Sequence, residues 1–172
     1  KVKVVDASWH MPKTKRNAFN EYLKEHIPAS VFFDLDKISE ENHAIPHMMP
    51  ALKKWEFSIS NLGINNSDHL VIYDNSDVYS ACRCWFSFIY FGHDPMKISI
   101  LDGGFKKWKK QNRPTSNKAE KINKSNYVAK EIKKLIKSKE EIKNNILSEN
   151  FELIDARSKK RFLGMEPEPR KE

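Results

Sequence analysis

The chain has 172 residues, a net charge of +8, and apolar residues at 39% of positions with 11% aromatic. That supports one domain with a solid core plus a remainder and excludes a disordered chain. No apolar run approaches the ~20 residues of a membrane span, and residues 1–30 lack the charged, apolar and small-residue succession of a signal peptide.

Residues 3–7 read as a short Val-rich strand. A loop over 8–15 leads to a helix over about 16–26, whose apolar positions Ala18, Phe19, Tyr22 and Leu23 recur at helical spacing. Pro28 stops it. Residues 31–33 read as a buried strand and 34–49 as a long polar loop holding Asp36, His43, Pro46 and His47. Pro50 suits the first turn of a helix to about Leu62, closed by Gly63. The run 69–73 is the most strand-like. The polar turn 74–77 follows, and then a helix over 78–91 that is apolar almost all round and so belongs in the middle of the domain. Residues 97–101 form another strand, Asp102-Gly103-Gly104 a tight turn, and 105–110 a short helix with Trp108 inward. Strands alternating with helices predict an α/β domain with a mostly parallel sheet and helices on both faces.

This domain is expected to cover 1–112. Residues 113–130, polar and without periodicity, read as a linker, and 131–172 as the start of a second domain. There Ser138 and Glu141 form a capping box, and 151–156 reads as a first strand. The basic charge is concentrated: residues 106–146 carry 14 Lys or Arg against 4 Glu, a net of +10 that leaves −2 for the rest. With only Trp108 and Tyr127 as aromatics, that stretch reads as a solvated face and linker rather than a nucleic-acid reader.

The end of the chain repeats its beginning. Val4-Val5-Asp6-Ala7 returns as Leu153-Ile154-Asp155-Ala156, with Asp6 and Asp155 149 positions apart. Each copy is followed by a basic segment carrying Arg and then Phe, Arg16 and Phe19 in the first, Arg161 and Phe162 in the second. A period that long is one domain, not one solenoid turn.

In an open α/β sheet ligands bind beyond the carboxyl ends of the strands, which selects the turns after Ala7, Tyr73 and Leu101. The turn after Tyr73 meets the amino end of the most apolar helix, where a thiolate or bound anion would be stabilised. Its first residue is Asp74, a carboxylate that would repel an anionic substrate and cannot replace a thiol nucleophile. Cys82 and Cys84, two apart on a helix, point in different directions and read as small buried apolar residues; a reducing compartment suits them. His43 and His47 are four apart, but Pro46 breaks the helix that metal ligation at this spacing needs, so no metal site is expected.

Four segments together resemble the first domain of the tandem rhodanese family, in its 3-mercaptopyruvate and thiosulfate sulfurtransferase branches. They are His26-Ile27-Pro28-Ala29-Ser30-Val31-Phe32-Phe33-Asp34, Pro46-His47-Met48-Met49-Pro50, Val71-Ile72-Tyr73-Asp74 and Leu101-Asp102-Gly103-Gly104-Phe105-Lys106-Lys107-Trp108. The segment from Arg161 to Arg170 resembles the opening of the second domain. The resemblance implies two rhodanese-like domains with the active site between them, and a second-domain cysteine, beyond this chain, that carries sulfur as a persulfide. It implies Arg161 and Arg170 as grips on the donor carboxylate, a pairing that suits planar guanidinium. Asp36 and His47 would serve the cysteine by proton relay or orientation.

No cofactor is implied. The implied partners are a small anionic sulfur donor and a thiol, thioredoxin-type or cyanide acceptor, with no nucleic acid and no membrane. The implied compartment is cytoplasmic, or mitochondrial if a leader has been removed. The family usually has Gly where this chain has Ala29. The competing reading is a rhodanese-fold binding module without a nucleophile.

Overall fold

The Val-rich run at the start becomes the strand on which the first unit is assembled. A computed structural model describes residues 1–118 and 120–167, and the chain separates into two compact units, Lys1–Lys133 and Lys134–Glu172.

The first unit holds a four-stranded sheet. Its strands are β1 (Val2–Asp6), β2 (Ser30–Phe32), β3 (His69–Tyr73) and β4 (Ile98–Ile100), in the order β2-β1-β3-β4. All pairings are parallel, with Val5 opposite Val31 on one side and Ile72 on the other. Parallel neighbours need crossovers, and the helices supply them: α1 (Ala18–Lys24), α2 (Leu35–Ile38), α3 (Leu52–Asn61), α4 (Ser80–Tyr90) and α5 (Gly104–Lys110).

The pleat divides the apolar residues between two clusters. On one side Val5, Leu70 and Ile72 pack with Trp55, Ile59, Cys84 and Phe88 from α3 and α4. On the other, Val4, Tyr73 and Ile27 pack with Phe105 and Trp108 of α5. Trp55 is wholly buried, stacked on Phe91 at 4.4 Å and edge-on to Phe88 and Phe33.

Three expectations are revised in the first unit. Residues 34–49 are not all loop: Asp34 caps α2 by accepting the Lys37 N–H at 3.2 Å. The stretch 113–130, read as a linker, runs along the first unit. Tyr127 is 2% exposed within the larger cluster, and Ser116 exchanges main-chain hydrogen bonds with His26. Its polar composition disguised the few apolar positions that anchor it. Of the two cysteines, Cys84 is buried as expected, whereas Cys82 is exposed on the other side of α4.

The second unit contains α6 (Lys139–Ser148) and α7 (Lys159–Phe162). The capping box forms as expected, with the Ser138 hydroxyl and the Glu141 carboxylate each accepting the other residue's main-chain N–H. Residues 151–156 do not form the expected strand. Leu153 and Ile154 are 62% and 81% exposed.

Candidate functional site

The carboxyl ends of the strands come together as the topology requires. The Ala7 N–H donates to the Tyr73 carbonyl, that of Leu101 to Ile72, and that of Phe105 to Asp74. The Asn75 N–H donates to the Ser8 hydroxyl at 2.8 Å. The turns after Ala7, Tyr73 and Leu101 therefore form one surface. Gly104 allows the closest of these approaches: its φ is +54°, and a Cβ there would lie 2.6 Å from the Asp74 carbonyl oxygen.

Asp74 turns inward rather than toward a ligand. Its Oδ2 accepts the Ala81 N–H at 2.7 Å and the Ser80 hydroxyl at 3.3 Å, so the carboxylate satisfies the first turn of α4. The cavity beside it, about 580 Å³, is lined by Asp74, Asp77 and Asp102 with Lys106 and the exposed Cys82. Asp77 pairs with Lys106 at 2.6 Å and with Arg16 at 3.7 Å, and Asp102 with Lys107, so Lys106 is already engaged and not free to take an anion. The place where this fold would stabilise an anion is filled by the protein's own carboxylate.

Asp36 and His47 are brought together, although the polar loop between them carries no periodic signal. The imidazole Nε2 lies 2.7 Å from Asp36 Oδ1, and the indole N–H of Trp9 donates to the same oxygen at 3.0 Å. An ionised carboxylate only accepts, so Nε2 carries the proton and Nδ1 is left as the basic nitrogen of the neutral ring. The Trp9 ring meets the imidazole edge-on at 5.0 Å. The Trp9 main chain is itself held by the 74–80 turn. Its N–H reaches the hydroxyls of Ser76 and Ser80 at 2.9 and 3.1 Å, and the Ser76 hydroxyl donates to its carbonyl at 2.6 Å. Thus the acidic loop headed by Asp74 supports the dyad through Trp9. His43 is exposed, and its Nδ1 accepts the Ile45 N–H at 3.0 Å rather than joining His47. Among the described residues no His, Cys, Asp and Glu cluster could hold a metal ion.

A second constellation surrounds Arg16. Its Nε and Nη2 donate to both oxygens of Glu21 at 2.7 and 2.6 Å. The Asn75 amide also donates to Glu21 Oε2 at 3.2 Å, and the buried His10 lies 3.1 Å from the same oxygen. The Arg16 guanidinium, with help from His10, holds the Glu21 carboxyl at about 2, well below its ordinary range. Arg16 is the counterpart of Arg161 in the repeat, and here its fork is taken by an internal carboxylate.

Arg161 lies half-buried on α7 in the second unit, where the Ser158 hydroxyl caps the helix by accepting its N–H at 3.3 Å. Arg170 falls outside the described residues. The sequence reading missed Trp9, Ser76, Ser80 and Glu21; only the duplicated Arg signalled the Arg16 cluster.

Residues 2–111 match the family described as the rhodanese-like domain. Rat 3-mercaptopyruvate sulfurtransferase is 39% identical over 171 residues, which are 98% of this chain and 57% of the rat protein. The mitochondrial thiosulfate/3-mercaptopyruvate sulfurtransferase 1 of Arabidopsis thaliana is 37% identical over 99% of this chain and 50% of its own length. The chain thus spans about half the length of the curated relatives it matches. Among solved structures, SseA from Escherichia coli, described among 3-mercaptopyruvate sulfotransferases, superposes with a TM-score of 0.87 at 30% identity, covering 94% of this chain and 61% of SseA. Tum1 from Saccharomyces cerevisiae gives 0.84 at 34% identity, over 99% and 59%. Fold and sequence together place this chain in the rhodanese-like domain family, with 3-mercaptopyruvate and thiosulfate sulfurtransferases as homologues along nearly its whole length.

Proposed function

We propose that this chain is the supporting half of a sulfurtransferase: a first rhodanese-like domain without a nucleophile, followed by the beginning of a second that supplies one. The nucleophilic cysteine lies outside these 172 residues. Its thiolate attacks the sulfur of 3-mercaptopyruvate; the carbon–sulfur bond breaks, the electron pair leaves as the enolate of pyruvate, and a proton completes pyruvate. With thiosulfate the leaving group is sulfite. An acceptor thiolate, such as a thioredoxin-type protein, or cyanide then takes the outer sulfur from the persulfide and restores the enzyme thiolate.

In this reading Asp36 orients His47 so that Nδ1 can take or return a proton, and Arg161 and Arg170 hold the donor carboxylate. The observation that carries the reading is the Asp36–His47 contact at 2.7 Å, fixed from behind by Trp9, in a chain whose relatives are named as sulfurtransferases. The internal seating of Asp74 accounts for a first domain that supports chemistry rather than performing it. That same seating favours the second reading, a rhodanese-fold binding module, if no cysteine loop follows. Among the described residues no helix is long and apolar enough to cross a membrane.

The test is steady-state kinetics of the full-length protein with Arg161→Ala and Arg170→Ala. Each raises KM for 3-mercaptopyruvate by about tenfold or more, the loss of a charge-assisted pair, and leaves KM for an uncharged donor within about twofold. Equal effects on both donors would remove the carboxylate assignment.

A further inference from the structure

The His47 main chain stands in the left-handed region, at φ +61°. A residue with a side chain keeps that conformation where its surroundings impose it, and such positions gather at functional sites. From the side-chain end, Asp36 holds the imidazole. The main-chain end is held by Arg83, on the buried helix α4. One Nη2 donates to the His47 carbonyl at 2.5 Å and lies 3.6 Å from the Met49 sulfur, gripping both ends of the His47-Met48-Met49 turn. The middle of the turn is tied separately, by the Glu40 N–H donating to the Met48 carbonyl at 3.1 Å.

Arg83 differs from Arg16 and Arg157, each of which pairs with a carboxylate. It is partly buried, its Nε has no hydrogen-bond partner, and among the described residues no carboxylate lies within ion-pair distance. Burial lowers its pKa with no opposing charge. A half-buried cation with only a carbonyl and a thioether as partners is costly, so ordinary ion pairing does not explain it.

We infer that Arg83 is a positioning residue for the dyad: it fixes the His47 main chain in the left-handed conformation from which Nε2 reaches Asp36. The hydrogen-bond geometry carries this inference by itself; its consequence for turnover rests on the proposed function.

The experiment compares wild type with Arg83→Met, which keeps the stem and loses the fork, and with Arg83→Lys, which keeps a donor. Long-range nitrogen–proton NMR of the full-length protein, with His47 assigned from His47→Gln, reads the tautomer directly. Wild type shows one tautomer, protonated at Nε2. Arg83→Met shows a mixed population and loses the Trp9 ring shift on the imidazole, and Arg83→Lys restores most of both. A fixed tautomer in folded Arg83→Met overturns the assignment. If Arg83→Met does not fold, Arg83→Gln, two atoms shorter and so without the reach to the His47 carbonyl, takes its place, and a fixed tautomer there overturns the assignment equally.

In kinetics, Arg83→Met lowers kcat about tenfold or more with KM for 3-mercaptopyruvate within about twofold, as for a misplaced group. A disturbed tautomer with unchanged kcat leaves Arg83 in place as the clamp and removes the dyad from the reaction.

Discussion

Val4-Val5-Asp6-Ala7 and Leu153-Ile154-Asp155-Ala156 carry one pattern and end in opposite circumstances. Val5 sits in β1 between β2 and β3, with no exposed surface, and Asp6 is 4% exposed while accepting the Ser8 N–H at 2.9 Å. Ile154 is 81% exposed, and Asp155 faces Arg157 at 2.6 Å instead of a sheet. Alternating apolar residues therefore encode a strand only where neighbours supply the ladder. A parallel strand, unlike a helix, has no partner within its own segment.

The same charge placed at both counterparts should have unequal consequences. Val5→Asp strands a carboxylate between two strands and is expected to cost at least about 4 kcal/mol, enough to abolish a cooperative urea transition. Ile154→Asp, on an exposed segment, should stay within about 0.5 kcal/mol. Comparable losses would mean that the two copies are equally structured.

The two aspartates of the repeat shift in opposite directions, which carboxyl titration by NMR reads. Burial raises Asp6 above 3.8, whereas Arg157 lowers Asp155 below it. Asp6, with its folded pKa above the unfolded one, favours folding while protonated, and that contribution is lost as pH rises through the folded pKa. For Glu21 the sign is opposite. Held at about 2 against 4.5 in the unfolded chain, it contributes stability that is complete above about 4.5 and is lost as pH falls toward 2. Arg16→Ala should return the Glu21 midpoint toward 4.5 and flatten the acid limb of the stability curve between those values. An unmoved midpoint would contradict the pairing.

The smallest expected effect concerns left-handed residues. Ala29 has φ +62° in the first unit, and Glu149 has φ +50° at the end of α6 in the second. Ala29→Gly relieves the side-chain clash and should stabilise the first unit by about 0.5–1 kcal/mol in urea melts, the larger unfolded-state entropy of Gly offsetting part of the gain. Glu149→Gly should raise only the local helicity of α6. A stability loss at Ala29 would mean that its side chain makes contacts outweighing the strain.

The parallel sheet and its helices were legible because each obeys a period: Leu70 and Ile72 alternate with Val71, and Trp55 and Ile59 lie one turn apart. What lacked a period was hidden. Asp36 and His47, 11 positions apart in a polar stretch, were reachable only through family resemblance. Trp9 and its supports Ser76 and Ser80 are separated by 67 and 71 residues, a distance no local rule spans. Arg83 carries no signal of its role in the helical pattern of 78–91; the contact with the His47 carbonyl is what reveals it. Residues 113–130 read as a linker because their composition is polar, yet the burial of Tyr127 and Ala129 binds them to the first unit.

The most direct test of the account is the intact mass of the full-length protein before and after 3-mercaptopyruvate, with the added sulfur located by peptide mapping. A gain of one sulfur atom on a cysteine beyond Glu172, with the Cys82–Cys84 peptide unmodified, is the expected result. Sulfur carried on Cys82 would contradict it, because the nucleophile would then belong to the domain assigned here a supporting role.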